Sequence, residues 1–450
     1  MKGSGLLVAA IVLAALSGVL YWSNHKKATA ADVKVSSDTP PKILSVPEAD
    51  ITKVDIKRKG EDDLTLAKNS AGKWEITSPK AFRADQSSVE NVISTLSTLT
   101  SERLIEDKAA NLKEFGLDDP DEQVEITEKN TKTEKLLIGD NTPTGNAAFV
   151  ALAGDPRVFT LASYAKTSLE KGTNDLRDKR LLTFDSDKLS RVELTAKKET
   201  IEFGRNKDQW QIVKPKPYRA DESKVEDLIR QLSDAKMDLS GTADDLKKSA
   251  SAFSSGTVVG AAKVTDVSGT QELDIRKAKD DYYAKSSAAE GVYKVSSDLG
   301  KALDKTVDDF RNKKLFDFGF SDPDKIEFRD GANSYFLTKG GQDWWLPDSK
   351  KADAIPAETY VEKVRDLSAS KFVDSGFSAS AMELTATSNS GKNVEKVLIA
   401  KAGDHYIAKR ENEPALYELD ASAVTDLEKA AADLKPAPEP KPAPAAKSKK

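Results

Sequence analysis

At 450 residues the chain exceeds one ordinary hydrophobic core, and at roughly 150 residues per domain its length implies about three domains. Hydrophobic residues make up 38% and charged residues 32%, which fits a globular body with a charged surface; the absence of cysteine excludes disulfides, thiolate nucleophiles and Cys-ligated metals. Residues 435–450 carry five lysines against one glutamate, so within the net charge of −5 the body is more acidic than the total and a poor surface for nucleic acid.

Residues 3–22 contain no charge. A helix of that length spans ~30 Å, about one hydrocarbon thickness, with Tyr21 and Trp22 where interfacial aromatics belong and His25, Lys26 and Lys27 following. Residues 1–27 are therefore expected to form a transmembrane anchor. The rival reading is a signal peptide cleaved near Ala28-Thr29-Ala30, but two lysines separate the apolar run from that site. Ala10, Ala14 and Gly18 would line one face of the anchor and permit close packing against another helix; a merely alanine- and glycine-rich anchor gives the same spacing. Residues 28–42 read as a polar spacer.

Short alternating runs follow. Val54-Asp55-Ile56, Leu64-Thr65-Leu66 and Trp74-Glu75-Ile76 predict a meander with one buried face. Val192-Glu193-Leu194, Ile201-Glu202-Phe203 and Trp210-Gln211-Ile212 repeat it. Ile326-Glu327-Phe328, Tyr335-Phe336-Leu337 and Trp344-Trp345-Leu346 do so again. After the first two tryptophans come Phe82-Arg83-Ala84-Asp85 and Tyr218-Arg219-Ala220-Asp221; the third copy has Lys351-Ala352-Asp353.

A helix is expected after each meander. Val89, Val92, Ile93 and Leu96 fall at i, i+3, i+4 and i+7, and Val225, Leu228, Ile229 and Leu232 match them. The third copy keeps Val361 and Val364, then slips to Leu367. Ser87/Glu90, Ser223/Glu226 and Thr359/Glu362 fit a capping box, with Asp85 and Asp221 as rival N-caps. Further strands follow in each copy, among them Val124-Glu125-Ile126, Leu273-Asp274-Ile275 and Val397-Leu398-Ile399. Short amphipathic segments around Leu169, Leu303 and Leu427 end them.

This pattern predicts an α+β fold of three tandem repeated units, each an antiparallel β-meander with a packed helix and further strands. The units are placed at 43–180, 181–314 and 315–434, with a Pro/Ala/Lys-rich tail over 435–450. No flexible spacer separates them: Leu176-Arg177-Asp178-Lys179 leads out of the first and Phe310-Arg311-Asn312-Lys313 out of the second, favouring a stiff arrangement.

Trp-x-Ile, Arg-Ala-Asp before a helix, Phe115-Gly116-Leu117-Asp118-Asp119-Pro120, Leu137-Ile138-Gly139 and Leu176-Arg177-Asp178-Lys179 together resemble a domain family of unknown function, DUF4340. The resemblance covers most of 43–434 and is strongest in the first unit; the second lacks the Phe-Gly-Leu-Asp-x-Pro element. It implies a membrane-anchored envelope protein associated with an ABC-type transport system, and carries over no catalytic residues.

Motifs for chemistry are sparse. The two histidines, His25 and His405, cannot build a His-rich metal site, and a Ser-His-Asp triad would have only His405 to draw on. Nucleophile-elbow, P-loop and dinucleotide-binding glycine motifs are absent. The acidic run from Asp118 to Glu122 lacks the spacing of a calcium loop. Trp74, Trp210 and Trp344 read as core residues. Arg83 and Arg219 are candidate carboxylate grips or partners of nearby acids.

No cofactor, metal or catalytic residue is expected. The reading is a non-catalytic, membrane-anchored accessory or scaffold protein with an extracytoplasmic body, in the periplasm at the cytoplasmic membrane, partnered with an envelope protein such as an ABC-type permease. Ala10, Ala14, Gly18, Arg83, Arg219, Lys447, Lys449 and Lys450 are its candidate partner contacts. The alternative is an extracytoplasmic binding module for a peptide or glycan.

Overall fold

The computed structural model describes residues 41–207, 209–331 and 333–438. The expected anchor, its positions Ala10, Ala14 and Gly18, His25, and the tail residues Lys447, Lys449 and Lys450 lie outside the described residues. Among the described residues no helix is long and apolar enough to cross a membrane. The described residues form eight α-helices and three sheets in which the strand pairings are antiparallel. The chain parts into two compact units, Met1–Asp178 and Lys179–Lys450.

In the first unit, β1 (Ile51–Arg58), β2 (Leu64–Lys68), β3 (Trp74–Ser78) and β4 (Phe82–Arg83) form the expected meander, and α1 (Gln86–Ser97) follows. Then come β5 (Arg103–Glu106), β6 (Glu122–Glu128), β7 (Thr133–Asn141), β8 (Ala147–Leu152), β9 (Val158–Ala162), α2 (Ser163–Leu169) and α3 (Thr173–Leu176). The strands join in one nine-stranded sheet, β4-β3-β2-β1-β6-β7-β8-β9-β5, because β1 pairs with β6. The further strands thus extend the meander instead of forming a separate layer. Its core face carries Val54, Ile56, Leu66, Trp74, Ile76, Val124, Ile126 and Ile138 against Val89, Val92, Ile93 and Leu96 of α1. Each such buried side chain contributes roughly 1.5–3 kcal/mol, so Leu96→Ala alone would cost about 2–5 kcal/mol.

Two sequence motifs meet at a smaller core in this unit. Gly116 ends a 3-10 turn (Leu112–Phe115) with φ 67°. A Cβ on Gly139 would lie 2.2 Å from the Phe115 carbonyl oxygen. The Phe-Gly-Leu and Leu-Ile-Gly elements are therefore two sides of one close approach, beside Phe115, Leu117, Ala151 and Val158.

The second unit holds two sheets. The first contains β10 (Arg191–Ala196), β11 (Glu199–Asn206), β12 (Gln209–Lys214), β13 (Tyr218–Arg219), β14 (Thr257–Asp266), β15 (Gly269–Ala278), β16 (Asp281–Ser286) and β17 (Val292–Val295). Its order is β13-β12-β11-β10-β14-β15-β16-β17, with α4 (Glu222–Ser233), α5 (Ala243–Ser255) and α6 (Ser297–Leu303). Helix α5 and strand β14 have no counterpart among the expected elements; α5 packs on β15, β16 and β17 although none of its residues is fully buried.

The last sheet contains β18 (Lys325–Asp330), β19 (Asn333–Gly340), β20 (Asp343–Leu346), β21 (Lys350–Lys351), β22 (Lys371–Val373), β23 (Met382–Ser388), β24 (Asn393–Ala402), β25 (His405–Arg410) and β26 (Leu416–Leu419). Its order is β21-β20-β19-β18-β23-β24-β25-β26-β22, with α7 (Ala354–Asp366) and α8 (Ala421–Ala432).

One open alternative is decided and two expectations are corrected. The helices are capped by aspartate: Asp85, Asp221 and Asp353 accept from the N–H groups of Ser88, Lys224 and Ile355, and Ser87 and Ser223 lie inside the first turn. Helix α7 does not slip. It starts five residues before Thr359, so its buried face is Ala357, Tyr360, Val361 and Val364, again at i, i+3, i+4 and i+7. The tail does not begin at Lys435, because Asp353 N–H donates to Lys435 C=O and Ala437 N–H to Lys351 C=O, binding 435–437 to the sheet.

Candidate functional site

The Arg-Ala-Asp stretch and the junction stretch are partners. In the first unit Asp85 N–H donates to Leu176 C=O and Asp178 N–H to Arg83 C=O, bracketing Ala84 opposite Arg177. In the second unit Asp221 N–H donates to Phe310 C=O and Asn312 N–H to Arg219 C=O, bracketing Ala220 opposite Arg311. The chain leaving a helix thus clips to the chain that entered an earlier one. The junction arginines lie on aromatic rings, Arg177 4.1 Å from the centre of Phe82 and Arg311 4.1 Å from that of Tyr218.

In Lys179–Lys450 the segment 310–317 is also hydrogen-bonded to the chain between α7 and β22. Leu315 N–H donates to Leu367 C=O and Ala369 N–H to Lys313 C=O. Arg311 also stacks on Phe372, 3.5 Å from its centre, so one guanidinium lies against rings from both sheets.

A charged cluster lies beside this crossing. Arg219 reaches Asp317 at 2.5 Å and Glu413 at 2.9 Å, and also contacts Lys314 C=O and the Tyr417 hydroxyl. Arg410 donates to Leu315 C=O at 2.9 Å and to Glu395 at 3.0 Å, with Glu413 2.9 Å from its Nε. Glu395 also accepts from the Asp317 N–H at 2.9 Å. Burial disfavours the Arg219 charge, but Asp317, Tyr417 and Glu413 outweigh it and hold the guanidinium above its ordinary value. Burial dominates at Glu395 and raises its carboxyl, against the opposing pull of Arg410 and the Asp317 N–H.

The cluster forms part of the wall of a cavity of about 670 Å³, which Trp210, Tyr218, Arg311, Phe372, Asn412 and Tyr417 also line. That volume suits a small ligand or a short peptide segment.

Of the candidate arginines, Arg219 enters this cluster, with partners 98 and 194 positions away in the sequence. Arg83 has the buried Asp178 at 3.8 Å. Trp74, Trp210 and Trp344 are core residues with at most 6% of their surface exposed. His405 sits at the start of β25 with Nδ1 3.1 Å from Asp404. The acidic run is met by cations of the chain itself: Lys59 Nζ lies 3.0 Å from Asp119 and 3.6 Å from Asp121, and Arg58 Nε 3.1 Å from Glu122. Among the described residues no group of His, Asp and Glu is arranged to hold a metal. Asp317, Glu395, Arg410 and Glu413 were not legible as site residues, since each sits in an ordinary strand or turn context.

A family model described as a domain of unknown function, DUF4340, matches residues 74–252 and again residues 210–389. Both matches begin at a Trp-x-Ile tryptophan, Trp74 or Trp210. Comparisons with curated proteins and with solved structures gave no match.

Proposed function

This chain belongs to the DUF4340 family, and from that premise we propose that it is a non-catalytic accessory protein. In this reading it is anchored by residues 1–27 at the cytoplasmic membrane, its body is extracytoplasmic, and it acts by contact with an envelope protein of an ABC-type transport system. Its three sheets are read as three copies of one repeating unit. The observation that carries the reading is the segment 310–315, which is hydrogen-bonded to residues 219–221 on one side and to residues 367–369, between α7 and β22, on the other, and has Arg311 held between Tyr218 and Phe372. A protein that works by presenting a surface gains from such fixed geometry. The test is crosslinking of the full-length chain in membranes, followed by gentle extraction. A defined partner band is expected, and a chain that runs alone would sink the proposal.

The cavity of about 670 Å³ supports the second reading, a binding module for a peptide or glycan. Thermal-shift titration of the full chain with oligosaccharides and short peptides tests this reading: tight stabilisation by one free ligand, with no crosslinked partner, favours the binding module.

A further inference from the structure

The first sheet carries an internal example of how one slot of this fold is filled. Gln86, the first residue of α1, turns its side-chain amide onto the meander. Its Oε1 accepts from Trp74 N–H at 2.9 Å, and its Nε2 donates to Trp74 C=O at 2.9 Å and Ala84 C=O at 3.0 Å. One primary carboxamide satisfies three main-chain groups.

The same slot exists around Trp210. Leu66 pairs with Ile76 and Phe203 with Ile212, and each tryptophan lies two residues before its isoleucine. Ladder parity therefore turns the N–H and C=O of Trp210 away from β11, as those of Trp74 turn away from β2. Ala220 is bracketed by clip hydrogen bonds as Ala84 is, so its own carbonyl faces Trp210. The residue at the Gln86 position is Glu222, which is exposed and makes no hydrogen bond to Trp210 or Ala220 among the described residues. A carboxylate cannot substitute for the amide, because it has no donor for the two carbonyls. Trp210, Ala220 and Glu222 all line the cavity.

We propose that this slot is a binding site for a primary carboxamide, presented by an Asn or Gln side chain of a partner polypeptide. The ligand carbonyl accepts from Trp210 N–H, and its NH2 donates to Trp210 C=O and Ala220 C=O, reproducing the contacts of Gln86. A primary amide offers donor and acceptor on one edge. The N-acetyl group of an amino sugar is a trans secondary amide whose N–H and C=O point in opposite directions, so it cannot bridge both groups of one residue. The polypeptide source rests on the accessory reading above; the slot does not.

The chain has five tryptophans, so backbone 15N-tryptophan labelling of the full-length protein gives five resonances, with Trp210 assigned by Trp210→Phe. N-acetyl-glutamine methylamide should shift the Trp210 signal with a dissociation constant on the order of 1 mM, as expected for a ligand of that size. N-acetyl-glutamate methylamide and N-acetylglucosamine should each bind at least roughly ten-fold more weakly, because each lacks one half of the donor–acceptor pair on that edge. Glu222→Gln, at an exposed position, should close the slot from within and abolish the shift without unfolding the chain. The proposal is overturned if Trp210 is unmoved at roughly 50 mM probe, some fifty times the affinity expected. It is equally overturned if either control binds like the glutamine probe, or if Glu222→Gln binds like the parent. Failure here with a crosslinked partner still found removes the slot alone. Binding here without such a partner removes the accessory reading alone.

Discussion

Arg219 and Asp317, 98 residues apart in sequence, are joined at 2.5 Å, and this contact ties the segment before α4 to the segment that enters the last sheet. Arg219→Met removes the cation from a cluster that also holds Glu413 and leaves both acids to share Arg410. A fully buried pair broken in this way costs about 3–5 kcal/mol; with Asp317 40% exposed, the expected loss is about 2 kcal/mol in urea unfolding. A loss under about 0.5 kcal/mol would mean that solvent screening makes the contact energetically idle.

Glu395 sets a pH dependence. Its folded carboxyl is raised above the ordinary 4.5, chiefly by burial. The folded state therefore holds that proton more tightly than the unfolded state. The contribution of this group to stability is complete below its unfolded value and is lost as pH rises through the raised value. Glu395→Gln has no such slope, so the stability of the variant relative to the parent should improve from about pH 4 to pH 7. Urea midpoints across that range check it; a trend in the opposite direction would show that pairing with Arg410 outweighs burial.

The helix caps give a paired test. Asp85→Ala, Asp221→Ala and Asp353→Ala should each cost about 1 kcal/mol, and Ser87→Ala and Ser223→Ala only a few tenths. Comparable losses at serine and aspartate would restore the capping box that the sequence suggests.

Gln86 holds three main-chain groups in place, so Gln86→Ala should cost about 1–3 kcal/mol and speed hydrogen exchange at Trp74. An unchanged exchange rate at the Trp74 amide would show that water replaces the side chain without penalty.

Much of the secondary structure was written in local pattern. Alternation in Val54-Asp55-Ile56 and its counterparts specified strands, because side chains on a strand point to opposite faces in turn. The 3.6-residue period of Val89, Val92, Ile93 and Leu96 specified α1, and burial of the three tryptophans followed from their place in those strands. Helix α7 is legible too, but its register is not, because Ala357 and Tyr360 are weaker apolar markers than the valines they replace. Family membership was carried by short motifs that survive as strings.

Tertiary structure decided what those strings do for one another. The pairing of Arg-Ala-Asp with the junction, and of Phe115-Gly116 with Gly139, are contacts between segments distant in sequence, which a local period cannot encode. The charged cluster needs Arg219, Asp317, Glu395 and the Arg410/Glu413 pair to converge from four separate stretches, and nothing in any one stretch marks its residue. The change from Gln86 to Glu222 was visible in the sequence as an ordinary polar exchange at a helix start. Its consequence appeared only once the main-chain groups of Trp74 and Trp210 were placed, because hydrogen-bond satisfaction belongs to the folded backbone and not to the string of residues.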